Sequence, residues 1–403
     1  MTKKIVILGT LDTKGQEHLF LKQKIEEKGI KTIVVDTGIM DPPYFEPDIT
    51  RYEVCNAVDY KVEDLVKRKD RKFAIDMVAL GASEVVKGLY KERNLDAIIS
   101  LGGGQGTYIS TTAMRGLPFG VPKIMVSTTV SGDVSGYIGY KDITLMHSIT
   151  DILGLNSFNK RVISHAASAI CGMIEGDISQ GKEEKPLIGV TMFGMTTPCV
   201  MKIKKLFERK NKTHDIVAFH ARGSGGRAME ELIREGVIQG VIDITTTEMA
   251  DELVGGIRSA GPHRLEAAGE MGIPQLVGPG ALDMVNFGPM ESVPKKFAGR
   301  KFYSHTPMVT VMRTNIAENI QLGEIIAEKM NKAKGKVVVA IPKKGFSTLD
   351  DEGRPFFDLD ATLAFTQSLK RHLNGKVKVV EISCHINEDE YAEQVVNHFL
   401  QIL

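Results

Sequence analysis

Cysteine is scarce in this chain. The four present, Cys55, Cys171, Cys199 and Cys384, lie far apart and form no CxxC pair, which argues against a disulfide framework or a zinc–thiolate site. The ten histidines show no H-x-x-x-H pair or other metal-ligand spacing, so no metal site is expected from them. Long hydrophobic runs are also absent. No segment nears the ~20 apolar residues that a spanning helix needs, and the run Ile5–Leu8 is too short for the core of a signal peptide. The expectation is a cytoplasmic protein without membrane association. An excess of one charge is missing too. With 51 basic and 50 acidic residues the net charge is +1, which excludes the basic footprint of a nucleic-acid binder but leaves room for a local positive site. The P-loop pattern G-x-x-x-x-G-K-[ST] and the nucleophile elbow G-x-S-x-G do not occur.

Glycine, by contrast, is plentiful: 40 residues, placed after apolar runs rather than in a low-complexity block. That placement suggests tight strand-to-helix turns. At 403 residues the chain is long enough for two domains, since one holds roughly 100–200 residues. The segments KIVILG (4–9), KTIVVD (31–36), DAIISL (96–101) and KIMVST (123–128) read as buried parallel strands alternating with amphipathic helices. A polar, Pro-terminated stretch, QGKEEKP (180–186), reads as a linker. The alternation then restarts and runs to the end. The pattern predicts an α/β protein of two tandem Rossmann-like lobes, residues 1–182 and 183–403, with mostly parallel sheets and a cleft between them.

In open parallel sheets, ligands bind beyond the carboxyl ends of the strands. Those ends hold this sequence's candidates. Gly102, Gly103, Gly104, Gly106 and Thr107 form the strongest set, a Gly-rich turn between a strand and a helix, where backbone N–H groups can cradle a phosphate. Gly9, Thr10, Asp12 and Thr13 end the first strand, although Asp12 or Thr13 can equally cap the following helix. Asp36 ends the second strand, where a Rossmann acid would hold a ribose hydroxyl or simply stabilise a turn. Ser127, Thr128, Ser131 and Gly132 supply hydroxyls and backbone at a further strand end.

In the second half Gly223, Gly225, Gly226 and Arg227 belong to a run that satisfies G-x-G-x-x-A, with Asp243 ending the next strand 20 residues beyond Gly223. The motif follows the second strand of its half, whereas a dinucleotide fingerprint follows the first. Anion binding, with Arg227 as charge partner, is therefore preferred to NAD. Thr196 and Thr246 are expected to face a second ligand from the same lobe. Ser347, Asp350 and His305 suggest a nucleophile set, but without the elbow.

The runs Gly9–Gly15, 102–107, GSGGRAMEELI (223–233), DITTTEMAD (243–251) and GPGALDMVNFGP (278–289), in this order, resemble one family across the whole chain. It is the ATP-binding domain at the N-terminus of the plant tobamovirus-resistance protein, with stand-alone bacterial and archaeal relatives. The resemblance implies a two-lobed α/β fold, ATP binding at the strand-end glycines and threonines, and a homodimer. The resemblance does not extend to the plant protein's C-terminal barrel domain, so a separate barrel-domain enzyme is an expected partner and binding of viral replication protein is not carried over.

Three functions remain open. The first is an ATP-binding protein, with or without Mg²⁺, that couples the nucleotide to phosphoryl transfer or to activation of a small metabolite; Asp36 would hold the ribose and 102–107 the phosphates. The second is a two-lobe enzyme using NAD or a nucleotide-sugar. The third is a non-enzymatic, ATP-responsive sensor or interaction protein.

Overall fold

The computed structural model describes residues 3–176 and 185–403. Most of the expected linker, 180–186, lies outside the described residues. The chain divides into two compact units, Met1–Lys182 and Glu183–Leu403.

The first unit runs β1 (Lys4–Gly9), α1 (Leu11–Glu26), β2 (Lys31–Asp36), α2 (Arg51–Asn56), α3 (Val62–Arg68), α4 (Arg71–Lys91), β3 (Ala97–Gly102), α5 (Gly104–Arg115), β4 (Lys123–Ser127), α6 (Ser135–Ile138), β5 (Thr144–His147) and α7 (Ser157–Glu175). Its five strands pair in parallel in the order β2-β1-β3-β4-β5. Side chains along β1 alternate between two cores. Val6 and Leu8 pack with Val54 of α2, Val78 of α4 and Met114 of α5. Ile5 and Ile7 pack with Leu21 of α1 and Ile163 and Ile170 of α7. A strand buried on both faces explains the unbroken apolar runs. Each such side chain contributes about 1.5–3 kcal/mol by leaving water.

The second unit continues with β6 (Leu187–Met192), α8 (Thr197–Lys210), β7 (Asp215–His220), α9 (Ser224–Arg234), β8 (Ile238–Thr245), α10 (Thr247–Val254), α11 (Ala267–Met271), β9 (Gln275–Gly280), β10 (Met284–Phe287), β11 (Phe302–Thr306), β12 (Val309–Arg313), α12 (Ile316–Asn331), β13 (Val337–Pro342), α13 (Leu359–His372), β14 (Lys378–Ile382) and α14 (Asp389–Ile402). Six strands form a parallel sheet ordered β14-β13-β9-β8-β6-β7. Phe207 of α8 and Phe399 of α14 cover one face beside Val190. Leu322 of α12 and Phe365 of α13 cover the other beside Val339.

Two parallel sheets covered by helices are the α/β architecture that the alternation predicts. The sequence reading did not anticipate the small antiparallel sheet β10-β12-β11, inserted where only loops were expected. Nor did it anticipate α2, which forms in the stretch between β2 and α3.

A cavity at the switch point of the first sheet

In the first sheet β2 lies on one side of β1 and β3 on the other, so the chain reverses its direction of growth between β1 and β3. In such sheets that reversal opens a crevice at the strands' carboxyl ends. A cavity of about 850 Å³ sits there. Its lining joins Thr10, Asp12 and Thr13 after β1 to Gly102, Gly103, Gly104 and Gly106 after β3. The structure therefore brings together seven of the residues that the sequence singled out.

The helix behind the glycines is open for an anion. Gly103 is the N-cap of α5, in extended conformation and with no side chain to cap it. The first helical bond runs from Thr107 N–H to the Gly103 carbonyl at 2.8 Å. The amides of Gly104, Gln105 and Gly106 precede it and have no intrahelical acceptor. Leu65, Ala74, Ile75 and Val78 supply an apolar wall to the same lining. Lys14, Lys69 and Arg71 add positive charge to the lining. Two of these cations already have partners: Lys14 Nζ donates to the Ile152 carbonyl at 2.5 Å, and Arg71 Nη2 to Gln105 Oε1 at 2.8 Å. Asp12 is half satisfied. Its Oδ2 accepts the Met40 N–H at 3.1 Å, while Oδ1 is buried with no hydrogen-bond partner among the described residues. A buried acceptor in that state calls for a donor or a cation.

Other candidates of the first unit have internal duties instead. Asp36 is fully buried: Oδ1 accepts the N–H groups of Leu11 (3.1 Å) and Gly38 (2.9 Å), and Oδ2 accepts Arg51 Nε at 2.8 Å. The ribose role expected of it gives way to this ion pair. Thr107 and Ser127 are buried and hydrogen-bond each other at 2.7 Å, which ties α5 to the end of β4. Thr128, Ser131 and Gly132 follow β4 outside the cavity lining.

Gly9 has a steric reason that sequence could not show. A Cβ there would lie 2.1 Å from Nε2 of the buried His18. Burial holds the His18 pKa below its ordinary value, and its Nδ1–H, in the neutral tautomer, donates to the Lys14 carbonyl at 2.8 Å. Gly9→Ala should therefore cost about 1–3 kcal/mol in urea denaturation, and adding His18→Ala should recover part of that. A Gly9→Ala protein of undiminished stability would contradict this packing role.

The glycine fingerprint of the second unit is already filled. Gly223, at φ +85°, is the N-cap of α9. The N–H groups of Gly223 and Gly226 both donate to Glu248 Oε1, at 2.6 and 3.1 Å. Arg264, 1% exposed, donates from Nε to Glu248 Oε2 at 2.7 Å and pairs bidentately with Asp243 at 2.5 and 2.8 Å. Glu230 joins at 3.3 Å. A Cβ on Gly226 would meet Glu248 at 2.1 Å, and one on Gly225 the His220 carbonyl oxygen at 2.0 Å. These glycines thus make room for the protein's own groups, and the expected anion site at 223–228 is corrected to an internal salt-bridge cluster. Arg227 Nη2 donates to the Ser259 carbonyl at 3.3 Å. Thr196 and Thr246 are buried, bonded to Thr245 Oγ1 and to the Gly278 carbonyl, so neither faces a ligand as expected.

The proposed nucleophile set is not assembled either. The buried Ser347 hydroxyl donates to Asp283 at 2.7 Å, whereas His305 is exposed on β11. Burial raises the pKa values of both Asp283 and Asp350, with Arg313 opposing.

Two parallel-sheet α/β units, the first carrying a ligand-sized crevice at its switch point, define a two-unit Rossmann-like protein. The chain belongs to the uncharacterised protein family UPF0261: the family's N-terminal domain matches residues 3–179 and its C-terminal domain residues 185–403. It is 48% identical to a UPF0261 protein of Clostridium tetani, covering 100% of both chains. It is 44% identical to the ToMV resistance protein Tm-1(GCR237) of Solanum lycopersicum, covering 99% of this chain and 56% of that protein. Among solved structures, a UDP-N-acetylglucosamine 2-epimerase from Rickettsia bellii aligns over 100% of this chain and 96% of its own at 13% identity, with a TM-score of 0.24. An overlap that small bears on neither ligand nor mechanism. Among the described residues no helix is long and apolar enough to cross a membrane.

Proposed function

We propose that the N-terminal unit binds a nucleotide, ATP in the first instance, in the cavity between β1 and β3. The observation that carries this reading is the pairing, in one cavity, of an uncapped helix N-terminus with an apolar wall. The N–H groups of Gly104, Gln105 and Gly106 suit phosphate oxygens. Leu65, Ile75 and Val78 suit the faces of a base. The cavity volume of about 850 Å³ lies within the roughly 300–1,000 Å³ typical of small-molecule sites. Asp12 Oδ1 would accept from a ligand hydroxyl or take part in holding Mg²⁺, an ion commonly bound by one or two carboxylates plus substrate phosphates. Phosphoryl transfer to a small acid is the reaction that this reading favours, with Lys69 and Arg71 supplying charge stabilisation.

Thermal denaturation of the full chain with ATP, ADP, AMP, NAD and UDP-sugars, with and without Mg²⁺, tests the proposal. Ligand at 100 times its Kd stabilises a fold by about 2.7 kcal/mol, a shift of several degrees. Adenine nucleotides should give it. Gly104→Val should abolish it without unfolding the protein, because a Cβ at 104 has only Thr129 and Tyr137 near it, both at 3.8 Å. A shift with NAD or UDP-sugars alone would overturn the ATP reading. ATP binding without phosphate release would replace phosphoryl transfer with a sensor role.

A further inference from the structure

The second sheet has its own switch point, since β7 lies on one side of β6 and β8 on the other. There β6 runs into Phe193 and then Gly194, which is exposed and has open space where a Cβ would stand. The guanidinium carbon of Arg258 lies 5.0 Å from the Phe193 ring centroid, and the His220 ring lies 5.8 Å from it. Arg222 follows closely, its N–H donating to the His220 carbonyl at 2.7 Å.

Arg258 is only 9% exposed, yet among the described residues no carboxylate or carbonyl accepts a hydrogen bond from its guanidinium. The neighbouring Asp251 is occupied elsewhere: its Oδ1 accepts the Arg258 and Asn286 backbone N–H groups, each at 3.1 Å, and its Oδ2 the Asn286 side chain at 2.8 Å. Asp251 attracts the Arg258 charge from nearby without accepting from its guanidinium, while Arg222 repels it. Burial, and then the charge of Arg222, lower the Arg258 pKa; burial, Arg222 and Arg258 lower that of His220. A largely buried guanidinium that donates to no protein acceptor is costly unless an anion meets it. The nearby N-terminus of α9 is not the receptor, because Glu248 already caps it.

We infer that the carboxyl ends of β6 and β7 form a second anion site, with Arg258 and Arg222 as charge partners and the backbone at Gly194 as a close-approach surface, and that it takes a phosphate group, free or on a small metabolite. Two guanidinium groups can offer forked donors to phosphate oxygens. The site lies wholly within the C-terminal unit and does not depend on the nucleotide reading of the N-terminal one.

Inorganic phosphate is the probe. Calorimetric titration of the full chain, against chloride at equal ionic strength, should show phosphate binding at this site. Arg258→Gln should raise its Kd at least tenfold and Arg222→Gln severalfold. Gly104→Val should leave this binding in place while removing any phosphate bound in the N-terminal cavity. Phosphate should also slow amide hydrogen exchange around Gly194 in the wild-type chain and in Gly104→Val, but not in Arg258→Gln. Without phosphate, Arg258→Gln should melt within a degree or two of wild type, since the guanidinium it removes donates no hydrogen bond to the described residues and Asp251 keeps its backbone and Asn286 donors. The inference is overturned if phosphate binding is unchanged by Arg258→Gln, if Gly104→Val alone removes it, or if wild type binds none. A fall of several degrees in the anion-free Tm of Arg258→Gln would likewise overturn it, because it would make Arg258 a structural residue.

Discussion

Replacing Arg264 with methionine should destabilise the C-terminal unit by about 3–5 kcal/mol, the usual cost of stripping the counter-ion from buried charge. Arg264 holds Asp243, Glu248 and Glu230 at once, and all three carboxylates are buried. Burial already raises the pKa of Glu230 above its ordinary value, with Arg264 opposing that shift. Without the guanidinium, the folded-state pKa of Glu230 should rise further above its unfolded value. A carboxylate raised in this way favours folding below its unfolded pKa, about 4, and that contribution is lost as pH climbs through the folded pKa. The urea midpoint of Arg264→Met should therefore fall increasingly behind wild type between pH 5 and pH 8. A deficit under about 1 kcal/mol that does not change with pH would mean that the cluster is not held together by this residue.

Arg51→Met should cost the N-terminal unit a comparable amount, about 3–5 kcal/mol, because it leaves the buried Asp36 carboxylate with only its two backbone donors. It also removes the hydrogen bond from Arg51 to the Asp41 carbonyl at 2.6 Å, which fastens the excursion after β2. Adding Asp36→Leu should recover part of the loss, since an apolar pair of similar volume often matches a buried ion pair. Had Asp36 been reserved for a ligand hydroxyl, Arg51→Met would change stability little and would alter nucleotide affinity instead. Chemical denaturation and nucleotide titration of the same variants separate these outcomes.

The parallel strands and most helices could be read from sequence because both faces of each parallel sheet are covered, which writes apolar runs and amphipathic stripes directly into the chain. The glycines at 102–106 were legible for a similar reason: a strand, a turn and a helix follow one another locally, and the cavity lies at that junction. What sequence hid was the identity of non-local partners. Asp36 looks like a ribose acid until Arg51, fifteen residues on, is seen to bind it. Gly9 looks like a phosphate-approach glycine until His18 is found filling the space of its absent Cβ. The β10–β12 sheet escaped because its strands are only four or five residues long and β11 is largely exposed, so no regular apolar alternation marks it. Arg258 escaped for the opposite reason: an arginine after a Gly-Gly pair reads as an ordinary loop residue, and its burial is visible only in three dimensions.

The Glu248 side chain on the α9 amides is, in effect, a ligand tethered to its receptor. Its concentration at the site cannot be diluted, and a free phosphate must displace it against an intramolecular advantage as well as against Arg264. Any chain that keeps the 223–228 spacing together with this glutamate and arginine will present the lettering of a cofactor-binding turn while being proof against the cofactor. In such relatives, the residue to inspect before assigning a dinucleotide is the acid that follows the next strand, and not the glycines.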